Sequence, residues 1–304
     1  MIQWQIGFGI FVIVLCVIYM VEYFRSHQSR TRKIEGFINP TESSEHLDET
    51  CYDLFYAKVY DDIVQPSARA AMEVQIPLDW MVQAGKPLGD IRVADIGCGT
   101  GLHAAIFKKA GVHSITGFDR SEHMISEAKR KHPEEGCEFR IGDATDATMT
   151  AADQYDLITM YYFTIYLVPE RTAMLKNIYL WLAPGGVFCC HIVNKLKFDP
   201  ILESASPFLG FSVQKYASER VTKSNVSFEE FEYTGDFQLH GSRGVYEEVF
   251  RFSDGRVRRH EQRVWMPTIE AIVSEIEAIG FTLKHHVDLM PIHYEYQYLF
   301  LFTK

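Results

Sequence analysis

The chain has 304 residues, of which 47% are hydrophobic, and a formal net charge of −10 at pH 7. This composition disfavours a disordered chain, and the length is enough for one large α/β domain with additions. The acidic balance argues against general binding to a nucleic-acid backbone, which requires a basic face. We therefore do not expect nucleic acid as a partner.

The first predicted element is a transmembrane helix at the N-terminus. Residues 6–24 form a near-continuous apolar run, about long enough to cross a bilayer as a helix, and aromatic residues stand at both of its ends. A cleaved signal peptide is the alternative, but no Lys or Arg precedes Arg25 and no small-residue cleavage site follows. We predict an uncleaved anchor over residues 1–24.

The residues that follow the anchor predict its orientation. Arg25, Arg30, Arg32 and Lys33 lie just after the apolar run, whereas nothing basic precedes it. The positive-inside tendency then places the rest of the chain in the cytoplasm, as a single-pass membrane protein. Residues 25–50 are polar and are predicted to be a tether between the membrane and the main domain.

An aromatic helix is predicted next, at the start of the main domain. Tyr52, Phe55, Tyr56 and Tyr60 recur at helical spacing. These rings pack against the core or cover a ligand pocket. The second role is favoured for the three tyrosines, because phenols are costly to bury without hydrogen-bond partners.

A glycine-rich turn follows the first predicted strand. The run Val93-Ala94-Asp95-Ile96 leads into Gly97, Gly99 and Gly101, and a helical pattern begins at Leu102. A sharp turn from strand to helix requires residues without Cβ, which also let a ligand approach the backbone N–H groups. The spacing is G-x-G-x-G after an acid, which differs from the dinucleotide fingerprint and from the P-loop. The turn predicts a nucleotide-type site at a helix N-terminus.

Four further segments continue the strand pattern. A strand over Ser114–Phe118 ends in Asp119, which is where nucleotide-binding α/β folds place the acid that binds ribose hydroxyls. The other segments are Phe139-Arg140-Ile141-Gly142-Asp143-Ala144, the strand Tyr155–Met160, and Leu182-Ala183-Pro184-Gly185-Gly186 with the strand Val187–Val193.

These five segments, in this order, resemble class I S-adenosylmethionine-dependent methyltransferases, and the resemblance covers about residues 51–304. It implies an α/β fold with a doubly wound, mostly parallel seven-stranded sheet, and S-adenosylmethionine as the cofactor. It also implies that the aromatic helix closes over the cofactor. The cofactor-binding residues implied are Asp95, Gly97, Gly99 and Gly101 around the methionine portion, Asp119 at the ribose, Asp143 and Ala144 at the adenine, and Tyr161 near the methionine end.

An insertion is predicted at about residues 195–266, before the last helix. Apolar and polar residues alternate along it, and Ser253-Asp254-Gly255-Arg256 is a strong hairpin signal. We expect an antiparallel sheet above the carboxyl ends of the main strands, which the resemblance implies would shape the acceptor pocket. A helix over Pro267–Gly280 and two strands, Phe281–Leu289 and Tyr296–Phe302, complete the domain.

The arginines of this insertion allow two interpretations. Arg259 and Arg263 share one face of a strand. A solvated face with ion pairs is favoured over recognition of an anionic substrate or of lipid headgroups. No catalytic base is assigned among Tyr161, Tyr162, Tyr166, His191, His240 and His260.

The predicted function is methyl transfer from S-adenosylmethionine to a small molecule, a lipid-linked group or a protein side chain. The fourth strand ends in Met160-Tyr161-Tyr162-Phe163, which lacks the Asn/Asp-Pro-Pro-Tyr pattern of enzymes that methylate exocyclic amino groups of nucleic-acid bases. The alternative is a catalytically silent cofactor-fold protein that acts as a membrane-tethered interaction module. The intact glycines and Asp119 favour the enzyme.

Overall fold

The computed structural model describes residues 43–64, 67–133, 136–200, 214, 219–292 and 294–304. The predicted anchor at residues 1–24 and most of the predicted tether lie outside these ranges. Within the ranges described, no helix combines the length and the apolar character that crossing a membrane demands.

A seven-stranded sheet forms the centre of the domain. Its strands are β2 (Arg92–Ile96), β3 (Ser114–Asp119), β4 (Cys137–Ile141), β5 (Tyr155–Met160), β6 (Leu182–Val193), β11 (Thr282–Asp288) and β12 (Gln297–Thr303). Their order is β4-β3-β2-β5-β6-β12-β11, and β12 runs antiparallel to both of its neighbours while the other pairings are parallel. The predicted doubly wound, mostly parallel sheet is confirmed.

Helices cover both faces of this sheet. They are α2 (Ser67–Gln83), α3 (Leu102–Ala110), α4 (Glu122–Lys131), α5 (Arg171–Trp181) and α6 (Ile269–Glu277), and they are preceded by a further helix, α1 (Leu54–Val64). Neighbouring strand residues enter different cores: Leu157 packs in one, and Ile158 packs in the other. Because both faces are buried, the central strands are apolar in nearly every position.

A second sheet of five strands comes mainly from the predicted insertion. Its order is β1-β10-β9-β8-β7. The strands are β1 (Ser44–Leu47), β7 (Lys223–Ser227), β8 (Phe231–His240), β9 (Arg243–Phe252) and β10 (Val257–Trp265). Strands β7 to β10 form an antiparallel meander whose last turn is the predicted hairpin, which confirms the interpretation of that segment.

The start of the folded domain differs from the sequence prediction. Residues 44–50 were assigned to the tether, but β1 pairs in parallel with β10, and Asp48 accepts a hydrogen bond from the backbone N–H of Arg263 at 2.9 Å. The sequence missed this strand because four residues are too few to show an alternation. Its partner strand is also distant in sequence. The folded domain therefore begins near Ser44 rather than at Cys51.

Helix α1 belongs to the second sheet. The ring of Phe55 packs edge to face against Phe231, Phe250 and Phe252, with centroid distances of 5.2–6.0 Å. These residues belong to a hydrophobic core separate from the two that flank the central sheet. We call residues 44–64, which include β1 and α1, and strands β7–β10 together the cap.

Candidate cofactor and acceptor site

A cavity of about 970 Å³ lies where the carboxyl ends of the central strands meet the cap. Small-molecule sites in proteins have volumes of roughly 300–1,000 Å³. The structure brings seven of the eight predicted site residues into the cavity wall: Asp95, Gly97, Gly99, Asp119, Asp143, Ala144 and Tyr161.

The glycine loop supplies the floor of one half of the cavity. Gly97 and Gly99 have φ angles of +71° and +53°, which residues with a Cβ rarely adopt. The backbone N–H groups of Gly97 and Cys98 donate to the carbonyl of Phe118, at 2.8 and 3.0 Å, and this ties the loop to β3. A Cβ on Gly97 would lie 2.5 Å from Cγ2 of Thr164. The loop therefore requires glycine for both conformation and space.

Gly101 has a different role from the predicted contact with the methionine portion. It lies behind the loop, and a Cβ there would be 2.6 Å from Cε1 of Phe139 and 3.0 Å from Cβ of Ala128. Gly101 is the N-cap residue of α3 and has a φ of +84°. The residue lets α3 approach β4 and α4, so it acts on the site by positioning the loop.

Asp119 is fixed at the end of β3 by two backbone donors. The N–H of Gly99 donates to Oδ2 and the N–H of Ser121 donates to Oδ1, each at 2.9 Å. Burial raises the pKa of Asp119, and the two donors oppose that shift. A carboxylate offers about four acceptor positions, so positions remain for two hydroxyl donors. This geometry agrees with the predicted ribose-binding role.

Asp143 and Ala144 border the same half of the cavity. Oδ1 of Asp143 accepts from the N–H and the hydroxyl of Thr145, both at 2.8 Å, while Oδ2 lies 3.2 Å from Nε of Arg120. Arg120 also pairs with Glu49 of the cap at 2.7 Å. Arg120 thus joins the central domain to the cap beside the predicted adenine position. Sequence reasoning did not single it out, although it directly follows Asp119.

A buried carboxylate lies beneath the glycine loop. The Asp95 side chain is 2% exposed and accepts a hydrogen bond from the Thr159 hydroxyl at 2.8 Å. Burial raises the pKa of Asp95 to about 6. A cationic group bound next to it would restore the carboxylate form, because opposite charge lowers a carboxyl pKa. This position suits the ammonium group of an amino-acid moiety.

Tyr161 belongs to a polar cluster that the sequence did not reveal. Its hydroxyl donates to the carbonyl of Glu73 at 3.2 Å, and its ring stacks on His103 at a centroid distance of 4.3 Å. Nε2 of His103 lies 2.8 Å from Oε2 of Glu73. Desolvation pushes both groups toward neutrality, but their hydrogen bond raises the pKa of His103 and lowers that of Glu73. The cluster lines the cavity, and both pKa shifts favour its ion-pair form.

Tyr52, which precedes α1, and the α1 residues Tyr56 and Tyr60 divide between the two predicted roles. The Tyr52 hydroxyl donates to Oε1 of Gln262 at 3.0 Å, and that of Tyr56 donates to Oε1 of Glu248 at 2.9 Å, so both are bound to the cap sheet. Tyr60 faces the glycine loop, with Cε1 at 3.8 Å from a Cβ built on Gly99. All three line the cavity. The helix therefore packs on the cap and also covers the loop.

The other residues considered for catalysis are not all in the wall. Tyr162 lines the cavity with a φ of +54°, an uncommon conformation for a residue other than glycine. The Tyr166 hydroxyl instead accepts the N–H of Val193 at 2.8 Å, which is a structural contact. His191 is fully buried behind the wall.

Two cap arginines form ion pairs, as the favoured interpretation predicts for Arg263, but Arg258 is buried and Arg263 lines the cavity rather than a fully solvated face. Arg258 lies 3.0 Å from Oδ1 of Asp53, and Arg263 pairs with Asp48. The wall beside them is aromatic. It includes Phe163, Phe198, Phe237, Tyr246 and Trp265.

Comparison with known proteins assigns the central part of the chain. Residues 93–186, which contain the glycine loop, Asp119 and Asp143, match the methyltransferase domain family. A ubiquinone biosynthesis O-methyltransferase from Aeromonas salmonicida is 28% identical over 122 residues, which are 40% of this chain and 50% of that protein. The chain spans about half the length of the curated relatives it matches.

Solved structures share the fold over most of the chain. An S-adenosylmethionine-dependent methyltransferase from Clostridium acetobutylicum superposes with a TM-score of 0.62 at 18% identity, covering 82% of this chain and 97% of that one. An amino pentose methyltransferase from Micromonospora echinaspora, solved with S-adenosylmethionine bound, superposes with a TM-score of 0.53 at 20% identity. The match covers 79% of this chain and 90% of that one.

Residues 93–186 thus match a methyltransferase domain, and most of the chain has the fold of S-adenosylmethionine-dependent methyltransferases, as predicted; the cofactor that these relatives indicate is S-adenosylmethionine. The residues present fit that cofactor, because the half of the cavity that holds the glycine loop offers open backbone, an acid at the end of β3 and a buried carboxylate. When bound there, S-adenosylmethionine supplies a methyl group activated by its sulfonium charge.

Proposed function

We propose that the whole protein transfers a methyl group from S-adenosylmethionine to an acceptor enclosed beneath the cap. The observation that carries this proposal is the single cavity, in which the glycine-loop half opens directly into the aromatic half under β8–β10. Asp95 and the loop would hold the methionine portion, Asp119 the ribose, and Asp143 with Ala144 the adenine.

Methyl transfer requires the protein to position the reactants and to exclude water more than it requires reactive side chains. A nucleophile must be held in line with the methyl carbon at near contact, and water must be kept away. Tyr60 over Gly99 and the Arg120 bridge to Glu49 cover the cofactor half, which serves both needs.

The acceptor is a small molecule or a small group on a larger carrier. The cavity volume of about 970 Å³ supports this, since it suits a small molecule or a small group. The related protein named for ubiquinone biosynthesis and the fold relative named for an amino pentose are consistent with small acceptors. Nucleic acid remains disfavoured by the net charge of −10.

We further propose that residues 1–24 anchor the protein in a membrane with the domain on the cytoplasmic side. The cap begins at Ser44, so only about 20 residues would separate the two. His46, Asp48 and Glu49 follow directly and line the cavity. The tether would therefore hold the cavity wall close to the bilayer, which favours a membrane-borne acceptor.

A transfer assay tests the enzyme against the silent-module alternative. We expect the full chain with methyl-labelled S-adenosylmethionine to label a compound in a solubilised membrane extract, and the Asp119→Ala variant to give no label above background. Binding of S-adenosylhomocysteine without labelling of membrane or aqueous extracts would favour the silent interaction module.

A further inference from the structure

A buried carboxylate lies in the cap wall of the cavity, outside the cofactor half. The Glu248 side chain on β9 is 0% exposed. Its Oε1 accepts from the hydroxyls of Tyr56 and Tyr233, at 2.9 and 2.8 Å. The Tyr233 hydroxyl lies 3.1 Å from that of Tyr246, which is half-buried in the cavity wall. A chain of hydroxyls therefore links the carboxylate to the acceptor space.

The imidazole beside Glu248 does not neutralise its charge. Nε of Arg258 donates to Nε2 of His260 at 2.7 Å. A guanidinium has donors and no acceptor, so Nε2 must hold a lone pair and the ring proton lies on Nδ1. Nδ1 is 3.2 Å from Oε2 of Glu248 and donates to it. His260 is therefore the neutral tautomer.

The neighbouring charges leave the cluster negative. Arg258 is the nearby cation, and it is paired with Asp53 at 3.0 Å. Glu248, Arg258 and Asp53 together thus carry one net negative charge, with Glu248 and Arg258 buried and Asp53 partly exposed. Of the acids in the turn after β1 that line the cavity, Asp48 pairs with Arg263, and Glu49 shares Arg120 with Asp143.

We propose that this charge makes the acceptor half select a compound that presents a protonated amine. The inference rests on the proposed function and names the acceptor class. Glu248 is a positioning residue that acts through the hydroxyls of Tyr56 and Tyr246. The aromatic rings of Phe163, Phe237 and Trp265 complete a chamber that favours a cation, because ring faces attract positive charge. The net negative charge of Glu248, Arg258 and Asp53 would repel a carboxylate acceptor.

The test compares two cofactor analogues on the full chain by calorimetry. S-adenosylhomocysteine has a neutral sulfur, whereas sinefungin carries a protonated amine where the transferable methyl would be, directed toward the acceptor. We expect the wild-type protein to bind sinefungin about tenfold more tightly, the scale of one buried charge acting across several ångströms. The Glu248→Gln variant should bind both analogues about equally, with its S-adenosylhomocysteine affinity within about threefold of wild type.

The control is Glu247→Gln, an exposed neighbour on the same strand, which should keep the tenfold preference. If Glu248→Gln does not fold, Tyr246→Phe should reduce the preference severalfold, while Tyr179→Phe on α5, outside the cavity wall, should not. An equal preference in wild type and the Glu248 or Tyr246 variant would overturn the amine assignment. A folded protein that binds neither analogue would overturn the proposed function first.

Discussion

At the residue scale, the site contains a carboxyl group whose charged form is destabilised by burial. Asp95 is almost completely enclosed and its pKa rises to about 6, against roughly 3.9 in an unfolded chain. The folded state therefore binds the proton more tightly than the unfolded state does. The penalty grows as pH rises from about 4 to about 6 and stays constant above that. Such a cost is expected where a carboxylate serves a ligand rather than stability.

Replacement of Asp95 by Asn should consequently stabilise the ligand-free protein at high pH. We expect a gain of up to about 3 kcal/mol at pH 8 that shrinks toward zero near pH 4, because the amide carries no charge to desolvate and still accepts from Thr159. Urea unfolding at pH 8 and pH 4.5 measures it. The same variant should bind S-adenosylmethionine less tightly. A gain that does not change with pH would show that the Asp95 charge is not its source.

Asp119 is the residue on which the ribose assignment depends. The Asp119→Ala variant should bind S-adenosylhomocysteine at least tenfold more weakly, since each hydrogen bond to a charged group is worth about 1.5–3 kcal/mol. Calorimetric titration of the full chain gives the ratio. Asp146→Ala is the matched control, because Asp146 likewise accepts two hydrogen bonds, both from Thr148, in an exposed turn outside the cavity wall. Retained affinity in Asp119→Ala would refute the ribose role.

At the element scale, the glycine loop was predictable and its packing was not. The spacing of Gly97, Gly99 and Gly101 after a strand indicates the turn, because the chain needs left-handed conformations there. Gly101 lies against Phe139 of β4. This contact depends on how α3 and β4 pack together, which the residues next to Gly101 in the sequence do not indicate. The α1 tyrosines were ambiguous for the same reason, since helical spacing does not say which element faces which ring.

The glycines at the two ends of α3 allow the conformational cost of adding a Cβ to be measured separately from the steric cost. Gly101 and Gly111 have φ of +84° and +95°, but only the first has a neighbour in the way of a Cβ. We expect Gly111→Ala to cost about 1 kcal/mol of folding free energy. Gly101→Ala should cost about 1–3 kcal/mol more, the usual range for overpacking. Urea unfolding of both variants measures the difference, and Phe139→Leu should partly rescue Gly101→Ala. Equal costs would show that the contact with Phe139 is not limiting.

At the scale of the whole molecule, the cofactor half of the site follows from motifs and the acceptor half does not. Each cofactor residue stands at the end of a strand whose pattern is local in sequence. The pair Glu73 with His103 and the bridge from Arg120 to Glu49 instead join elements that are distant in sequence. The insertion sheet was predictable because its strands are consecutive. β1 was missed because it pairs with a strand near the other end of the chain.

The boundary at Ser44 makes the anchor testable with two truncations. Removal of residues 1–42 keeps β1, so the protein should stay folded and should not float with liposomes, whereas the full chain should. Removal of residues 1–47 also deletes β1 and the parallel pairing with β10, and should lower the thermal midpoint by several degrees. Flotation of the 1–42 truncation would mean that another surface binds the membrane.

The central claim is that the cavity beneath the cap binds S-adenosylmethionine. Calorimetric titration of S-adenosylhomocysteine into the full chain tests it without knowledge of the acceptor. The account predicts one site per chain with micromolar or tighter affinity. No heat of binding in a sample shown to be folded would contradict it.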